Sequence, residues 1–394
     1  MSAPGDDVVV AGGGPAGALS ALLLARRGWR VRLVERDRFP RPKLCGDTLN
    51  PGALAVLGRH LDLAPLWALG QPIRGMRLSG PGGVAIRGRY PRPVAGMSVT
   101  RAHLDAWLLG EAARAGVEVL EATAVAGTVV GDGRVSGVRL RTAGGSELRA
   151  RMVIGADGRR STLATGLGLA ATPRRPRRWA VGAYADGVAG MRQDYGEMHI
   201  RAGRYLGLAP VPSGLTNVCL VVPYDSARAA VADAGRAMLE AACRDRWTAP
   251  RFTHARLATV PVVLGPMALD VAVPGAPGLL LAGDAAGFID PMTGDGVRLA
   301  LAGAEMAADV TDAVLRGVLD VTAAPLELAR RRRAAFAGKW RFNRAVRGLV
   351  GSGAVRGAAL VARAWPRLFE AMVCYAGDVP AAAAHVTEAP CPSR

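Results

Sequence analysis

The sequence predicts an α/β protein: a Rossmann-like dinucleotide-binding unit interleaved with an antiparallel-sheet domain and completed by a C-terminal helical region. Three observations predict it. The stretch "VVVAGGGPAGALSALLLARRGWRVRLVER" (8–36) runs as apolar strand, glycine cluster, alanine- and leucine-rich helix, second strand and acid. Short β-like runs broken by Gly and Pro turns fill 74–88, 117–158 and 178–223. From about residue 297 onward the spacing of apolar residues is helical.

In the first stretch Val8, Val9 and Val10 read as a buried parallel strand, and Gly12, Gly14 and Gly17 fill a G-x-G-x-x-G. The first glycine permits the tight turn, the second lets backbone approach a pyrophosphate, and the third lets helix pack on strand. Pro15 and Ala16 open the helix, whose N-terminal N–H groups and dipole favour a phosphate. Glu35 closes the second strand, where a carboxylate can accept hydrogen bonds from a ribose, and Arg36 comes directly after it. Read singly, a glycine-rich turn means little in a chain with 51 glycines. Here the strands, helix and acid stand in order around it.

Further along, "RGMRLSGPGGVAIRG" (74–88) reads as two strands about a Pro-Gly-Gly turn, and "RAHLDAWLLGEAARAG" (101–116) as an amphipathic helix ending at Gly116. The Gly131/Gly133 pair is expected to make a hairpin turn and not a second nucleotide loop, because strand succeeds it. Residues 226–246 read as helix. The Arg330–Arg333 run is most simply a solvated helix face.

Composition excludes several classes. Half of the 394 residues are apolar, so the chain is globular. It has no apolar run long enough for a membrane span. Asp6 and Asp7, with no early Lys or Arg, make the apolar run from Val8 a poor signal peptide. A cytoplasmic protein, monomeric or homodimeric, is the expectation. Five dispersed cysteines and five dispersed histidines offer no zinc spacing, so no metal is expected, and no G-x-S-x-G elbow supports a hydrolase. The formal charge of +18 is carried almost wholly by arginine, only Lys43 and Lys339 being lysines. No nucleic-acid module or interleaved aromatics accompany it; peripheral contact with anionic membrane suits it better.

Two more segments, "VIGADGRRST" (153–162) and "LLLAGDAAGFIDPMTGDGVRLA" (279–300), combine with the glycine loop. Together they resemble the FAD-binding motifs of the flavoprotein monooxygenase and geranylgeranyl reductase superfamily, with the p-hydroxybenzoate hydroxylase fold, over about residues 6–310. The resemblance implies FAD as the bound cofactor, which the isolated glycine fingerprint cannot distinguish from NAD, and NAD(P)H as a transient reductant without a Rossmann unit of its own. It implies an FAD-binding domain at 1–73, 98–177 and 276–320, a substrate domain at 74–97 and 178–275, and the helical region at 321–394. By the same resemblance Gly12, Gly14 and Gly17 cradle the pyrophosphate, Glu35 holds the adenosine ribose, and Arg101 with Asp105 lies near the pyrophosphate. Asp157 and Gly158 form the DG motif, and Gly283 and Asp284 bind the ribityl or pyrophosphate region. Pro291, Gly294, Asp295, Gly296 and Val297 wrap the flavin, where a helix start faces N1 and O2. Taken singly, each of these acids reads equally well as a cap or turn residue.

"FPRPKLCGD" (39–47) resembles the Cys-Gly segment of geranylgeranyl reductases and sets Lys43, Cys45 and Gly46 beside the flavin; a buried structural cysteine is the plain alternative for Cys45. Lys43 and Asp47 are expected to order this loop by charge pairing. The reductases' Y-x-W-x-F-P motif aligns with "YLGLAP" (205–210), where Tyr205 and Pro210 remain but Gly207 and Ala209 replace the large aromatics. Cys45 and Tyr205 are the candidate catalytic residues, and His199 is a candidate by position. The loss of the aromatics favours an NAD(P)H-dependent FAD monooxygenase that hydroxylates a hydrophobic, aromatic or polyketide-like metabolite through a flavin C4a-hydroperoxide. The alternatives, in order, are an ene reductase of an isoprenoid, a flavin halogenase, and a non-catalytic flavin-binding partner.

Overall fold

Strand Asp6–Ala11 is the hub of the molecule. Its valines are wholly buried, as an uninterrupted Val run covered on both faces must be. In the computed structural model, which describes residues 5–142, 144–171, 178–201, 203–223, 232–288, 292–351 and 355–379, it pairs in parallel with strand Val31–Val34 on one side and Glu147–Gly155 on the other. Strands Glu118–Leu120 and Leu279–Leu281 extend this parallel sheet outward. Helix Pro15–Arg26 starts with proline at its first turn and is buried from Pro15 to Leu24, on every side, which makes it a core helix. Its alanines Ala18 and Ala21 belong to one apolar cluster with Leu104 and Leu108 of helix Arg101–Arg114 and with Ala304 and Ala308 of helix Gly296–Leu315.

A hairpin hangs from this sheet: Val125–Gly131 and Arg134–Leu140 pair across Asp132 and Gly133, both at positive φ, as a turn of two left-handed residues requires. The sequence expectation for Gly131 and Gly133 therefore holds.

The second sheet is antiparallel but for one join. Its main path runs through Arg178–Asp186, Thr216–Pro223, Arg204–Pro210, Tyr195–Arg201, Gly75–Ser79 and Ala85–Arg89, and Tyr195–Arg201 lies parallel to Gly75–Ser79. The 74–88 segment is two strands about a 3-10 turn at Pro81–Gly83, as expected. The helix expected over 226–246 is described only as Ala234–Cys243, since 224–231 lie outside the described residues.

Helices Ala324–Gly351, Val355–Ala364 and Pro366–Ala376 complete the chain. The last packs Phe369 and Val373 against Tyr90 and across strand Ala85–Arg89. A Cβ on Gly88 of that strand would lie 2.6 Å from Val373 Cγ2, so this docking needs glycine there.

Candidate flavin site

The three glycines of the first loop are required for different reasons. Gly12 has φ +104°, and a Cβ there would sit 2.4 Å from the Ala156 carbonyl oxygen. A Cβ on Gly17 would come within 1.8 Å of the Gly12 oxygen. Both are glycine because the chain itself is in the way. Around Gly14, by contrast, the nearest protein atom to such a Cβ is Arg41 Nη2, at 3.8 Å. That space is open, and the helix behind it begins without a side-chain cap, so its first N–H groups are available to an anion.

Glu35 lies buried under this loop. Its Oε2 accepts from the Gly13 N–H at 2.7 Å and its Oε1 from the Asp37 N–H at 3.0 Å. Arg36, expected in the site, instead turns outward: its side chain is 66% exposed, beside Asp37. Arg41 takes the inward place. It is buried, with Nη2 3.9 Å from Glu35, Nη1 3.4 Å from Asp105 and Nε 3.6 Å from Asp37, yet its Nε and Nη1 have no hydrogen-bond partner among the described residues.

The separated motifs converge on this mouth. A Cβ on Gly283 would touch Ala16 Cβ at 2.9 Å, which sets the 283–286 turn against the start of the first helix. Asp157 comes directly after the residue that crowds Gly12. Its Oδ2 accepts from Thr162 N–H at 2.8 Å, while its Oδ1 is buried without a partner among the described residues. Burial raises the Asp157 carboxyl above the usual range, against hydrogen bonds from Ser161 and Thr162. Gly158 has φ +80° with open space about it, so backbone conformation alone asks for glycine.

The Asp284 carboxyl makes no hydrogen bond among the described residues. Burial raises its carboxyl, and Lys43, Arg101 and Arg159 oppose that by their charge. Burial lowers the Lys43 ammonium, aided by repulsion from Arg101 and Arg41. The mouth thus carries several charges of both signs held near one another and incompletely answered.

At its floor, Arg101 forks onto Asp105, Nε to Oδ1 at 2.7 Å and Nη2 to Oδ2 at 2.8 Å, an i,i+4 pair on one helix turn. The guanidinium also meets Cys45. Burial pushes the Cys45 thiol up and Arg101 pulls it down; the net direction is up, so Sγ keeps its proton. Asp47 does not pair with Lys43, as the sequence suggested. It is buried at φ +50° and accepts from Tyr184 Oη at 2.5 Å, Asn217 Nδ2 at 2.7 Å and the Arg101 N–H at 3.1 Å. Asn217 also donates to the Cys45 carbonyl at 2.9 Å. Two strands of the antiparallel sheet therefore pin the Cys-Gly segment, with Gly46 exposed between the pinned residues.

Tyr205 is buried in an apolar cluster with Met267, Leu269, Phe288 and Met292, against which Leu44 packs. On the same strand face as Tyr205, Gly207 and Ala209 stand at alternate positions. His199 lies on the neighbouring strand, bonded through Nδ1 to Ser79 Oγ at 2.8 Å and through Nε2 to Glu197 at 3.2 Å. That network is buried and closed, so the positional candidacy of His199 gives way to a structural place.

At the far end, the helix begins at Gly296 as expected, with Gly294 at φ +74° before it and Val297 packed on the main core. Pro291 lies outside the described residues. The Asp295 side chain is drawn away from the role expected of it: it is buried, accepts from Thr293 Oγ1 at 2.9 Å and Asn50 Nδ2 at 3.3 Å, and lies 3.7 Å from Lys339 Nζ. Burial raises it to about 6, against the charge of Lys339. The physical reason is Lys339, which also pairs with Asp378 at 3.1 Å and ties the helix start to the C-terminal helices. Arg41, Tyr184, Asn217 and Lys339 are the residues that sequence reading missed. Only Arg41 had a signal, its place within 39–47.

These features fit FAD: a glycine mouth kept open, an uncapped helix start, a buried guanidinium with free donors and two carboxylates with free acceptors. Residues 6–339 match the FAD binding domain family. The chain is 33% identical over 328 residues to digeranylgeranylglycerophospholipid reductase 2 of Methanothermobacter thermautotrophicus, covering 80% of each. It is also 33% identical over 327 residues to the menaquinone reductase of Mycobacterium tuberculosis, covering 78% of this chain and 76% of that one. Among solved structures, the myxobacterial chondrochloren halogenase CndH superposes with TM-score 0.76 at 28% identity, over 86% of this chain and 82% of that one. The geranylgeranyl bacteriochlorophyll reductase-like protein of Thermoplasma acidophilum does so with TM-score 0.74 at 22% identity, over 96% and 94%, which shows the fold alone.

The fold and site define a flavin-dependent oxidoreductase. The chain belongs to the FAD binding domain family, within the monooxygenase and geranylgeranyl reductase superfamily, and its cofactor is FAD.

Proposed function

We propose that this flavoprotein reduces carbon–carbon double bonds in the isoprenoid chain of a lipid or prenylated quinone. The observation that carries the reading is the 33% identity, over about four-fifths of the chain, to reductases whose names specify a geranylgeranylated phospholipid and menaquinone. The site supports it. FAD supplies hydride-transfer chemistry when bound. Arg41, Asp157 and Asp284 offer it charge-assisted hydrogen bonds, and Lys43 and Arg101 offset negative charge at the mouth. Reduction of an alkene puts a hydride on one carbon and a proton on its neighbour, and Cys45, whose Sγ keeps its proton, is the donor assigned to the second. The cluster of Tyr205, Met267, Leu269, Phe288 and Met292 is apolar and rich in adaptable methionine, a surface suited to a flexible hydrocarbon. NAD(P)H, or another two-electron donor, restores the reduced state.

Hydroxylation of a bulkier ring is the second reading, and Gly207 and Ala209 on the Tyr205 face favour it by leaving room where large aromatics would stand. Anaerobic turnover separates the two. With the FAD-loaded protein, dithionite and menaquinone, the reductase reading expects a product that, after the quinone ring is reoxidised, remains heavier by two hydrogens in its isoprenoid chain and does not form without the protein. A product formed only in air and carrying labelled oxygen overturns it in favour of hydroxylation.

A further inference from the structure

Helix Pro366–Ala376 has already buried Phe369 and Val373 against the sheet, so its core-facing requirement is met. Yet this helix and helix Val355–Ala364, joined through Trp365 alone, show a second apolar set outward. Trp365, at the turn between them, is 65% exposed, with Leu360 58%, Leu368 49% and Val361 44% exposed nearby. The six consecutive residues Arg363 to Leu368 are all exposed. An exposed Trp at the junction of two helices, with exposed leucines on both of them, is a costly surface to leave in water.

Charge indicates what covers it. From Arg341 to Phe369 the sequence carries six arginines and no acid. Arg363 and Arg367 flank Trp365 on either side and are exposed with it. No described helix is long and apolar enough to cross a membrane. An apolar patch framed by arginines, on helices too short and polar to span, is the pattern of a segment that lies in the headgroup layer: the indole and leucines enter the acyl boundary while the guanidinium groups stay with phosphates.

We infer that the bent helix pair Val355–Ala376 docks the protein on the surface of a bilayer containing anionic lipid, with Trp365 and Leu368 inserted and Arg363 and Arg367 on the headgroups. This concerns where the protein sits and stands independently of the reaction it performs.

The test is flotation of the FAD-loaded full chain with vesicles of phosphatidylcholine alone and of phosphatidylcholine with phosphatidylglycerol. Binding is expected to the anionic vesicles, weakening with salt. Each arginine contributes roughly fivefold in affinity, so R363E/R367E should lose at least on the order of 25-fold. W365S/L368S should also lose binding, and L360S, on the other helix, should weaken it should the double variant fold poorly. Bound FAD and turnover of a detergent-solubilised substrate should not change in any of them, so failure here is distinct from failure of the reductase reading. No flotation with anionic vesicles overturns the inference. So does equal flotation of parent and variants, or a concentration-dependent dimer abolished by W365S/L368S, which would assign the surface to a second copy.

Discussion

Two regions of this molecule bury charge, and they do so in opposite ways. On the outer face of the antiparallel sheet, Glu197 meets Arg251 at 2.6 Å, Arg77 at 3.3 Å and His199 at 3.2 Å, and His199 meets Ser79. Burial alone would raise Glu197, but these partners bring it down to about 2. Every group there is answered by another. At the glycine mouth, Arg41 retains two unpartnered donor nitrogens and Asp157 an unpartnered oxygen, and the Asp284 carboxyl makes no hydrogen bond among the described residues. Unpaired buried polar groups are costly. Where the chain completes its own network the charges hold the fold, and where it leaves the network open it leaves polar atoms for a ligand to meet.

The glycines divide along the same line, and the largest effects lie there. Gly17→Ala places a Cβ against the Gly12 carbonyl and should destabilise the protein by about 1–3 kcal/mol, visible as a lower Tm with or without FAD. Gly14→Ala meets only open space, so the apoprotein's Tm should stay within a degree or two while FAD affinity falls by roughly tenfold or more. If both lower the apoprotein's Tm equally, the division fails.

Asp295 falls between the two: the chain itself bonds it, through Thr293 and Asn50, yet burial outweighs the answer that Lys339 gives its charge. Its carboxyl is raised from 3.8 to about 6, so the folded protein binds this proton more tightly than the unfolded chain. Stability should therefore fall as pH rises from about 4 to about 6, by on the order of 3 kcal/mol at most. Asp295→Asn should flatten that part of the Tm-against-pH curve relative to the parent. An unchanged slope would mean the carboxylate ionises normally beside Lys339.

A smaller effect is expected at Cys45. Cys45→Ser should retain FAD, because the loop is pinned by Asp47, Tyr184 and Asn217 and not by the thiol. In the reductase reading, kcat should drop by about tenfold with KM little changed, since a poorer proton donor replaces Sγ–H. A change in KM alone would return Cys45 to a packing role.

Much of the fold was legible in the sequence because its signals are local. The glycine mouth, the two-residue hairpin at Asp132–Gly133 and the helix start at Gly296 each arise from backbone rules acting over a few residues. The rest of the site depends on distant partners. Arg36 and Arg41 are the same residue type in one loop, and only the packed position of Asp105 decides which turns inward. Asp47 finds Tyr184 and Asn217 on strands more than a hundred residues away, so nothing near it announced them. Asp295 read as a flavin-loop acid because Lys339, its neighbour in space, lies on a different helix.

The most direct test of open against closed charge is FAD titration of Asp284→Ala and Glu197→Gln side by side, with Tm measured on both apoproteins. Asp284→Ala should lose FAD affinity by about ten- to a hundredfold with little loss of apoprotein stability, while Glu197→Gln should lose stability and keep its FAD. FAD held as tightly by Asp284→Ala as by the parent would contradict this expectation.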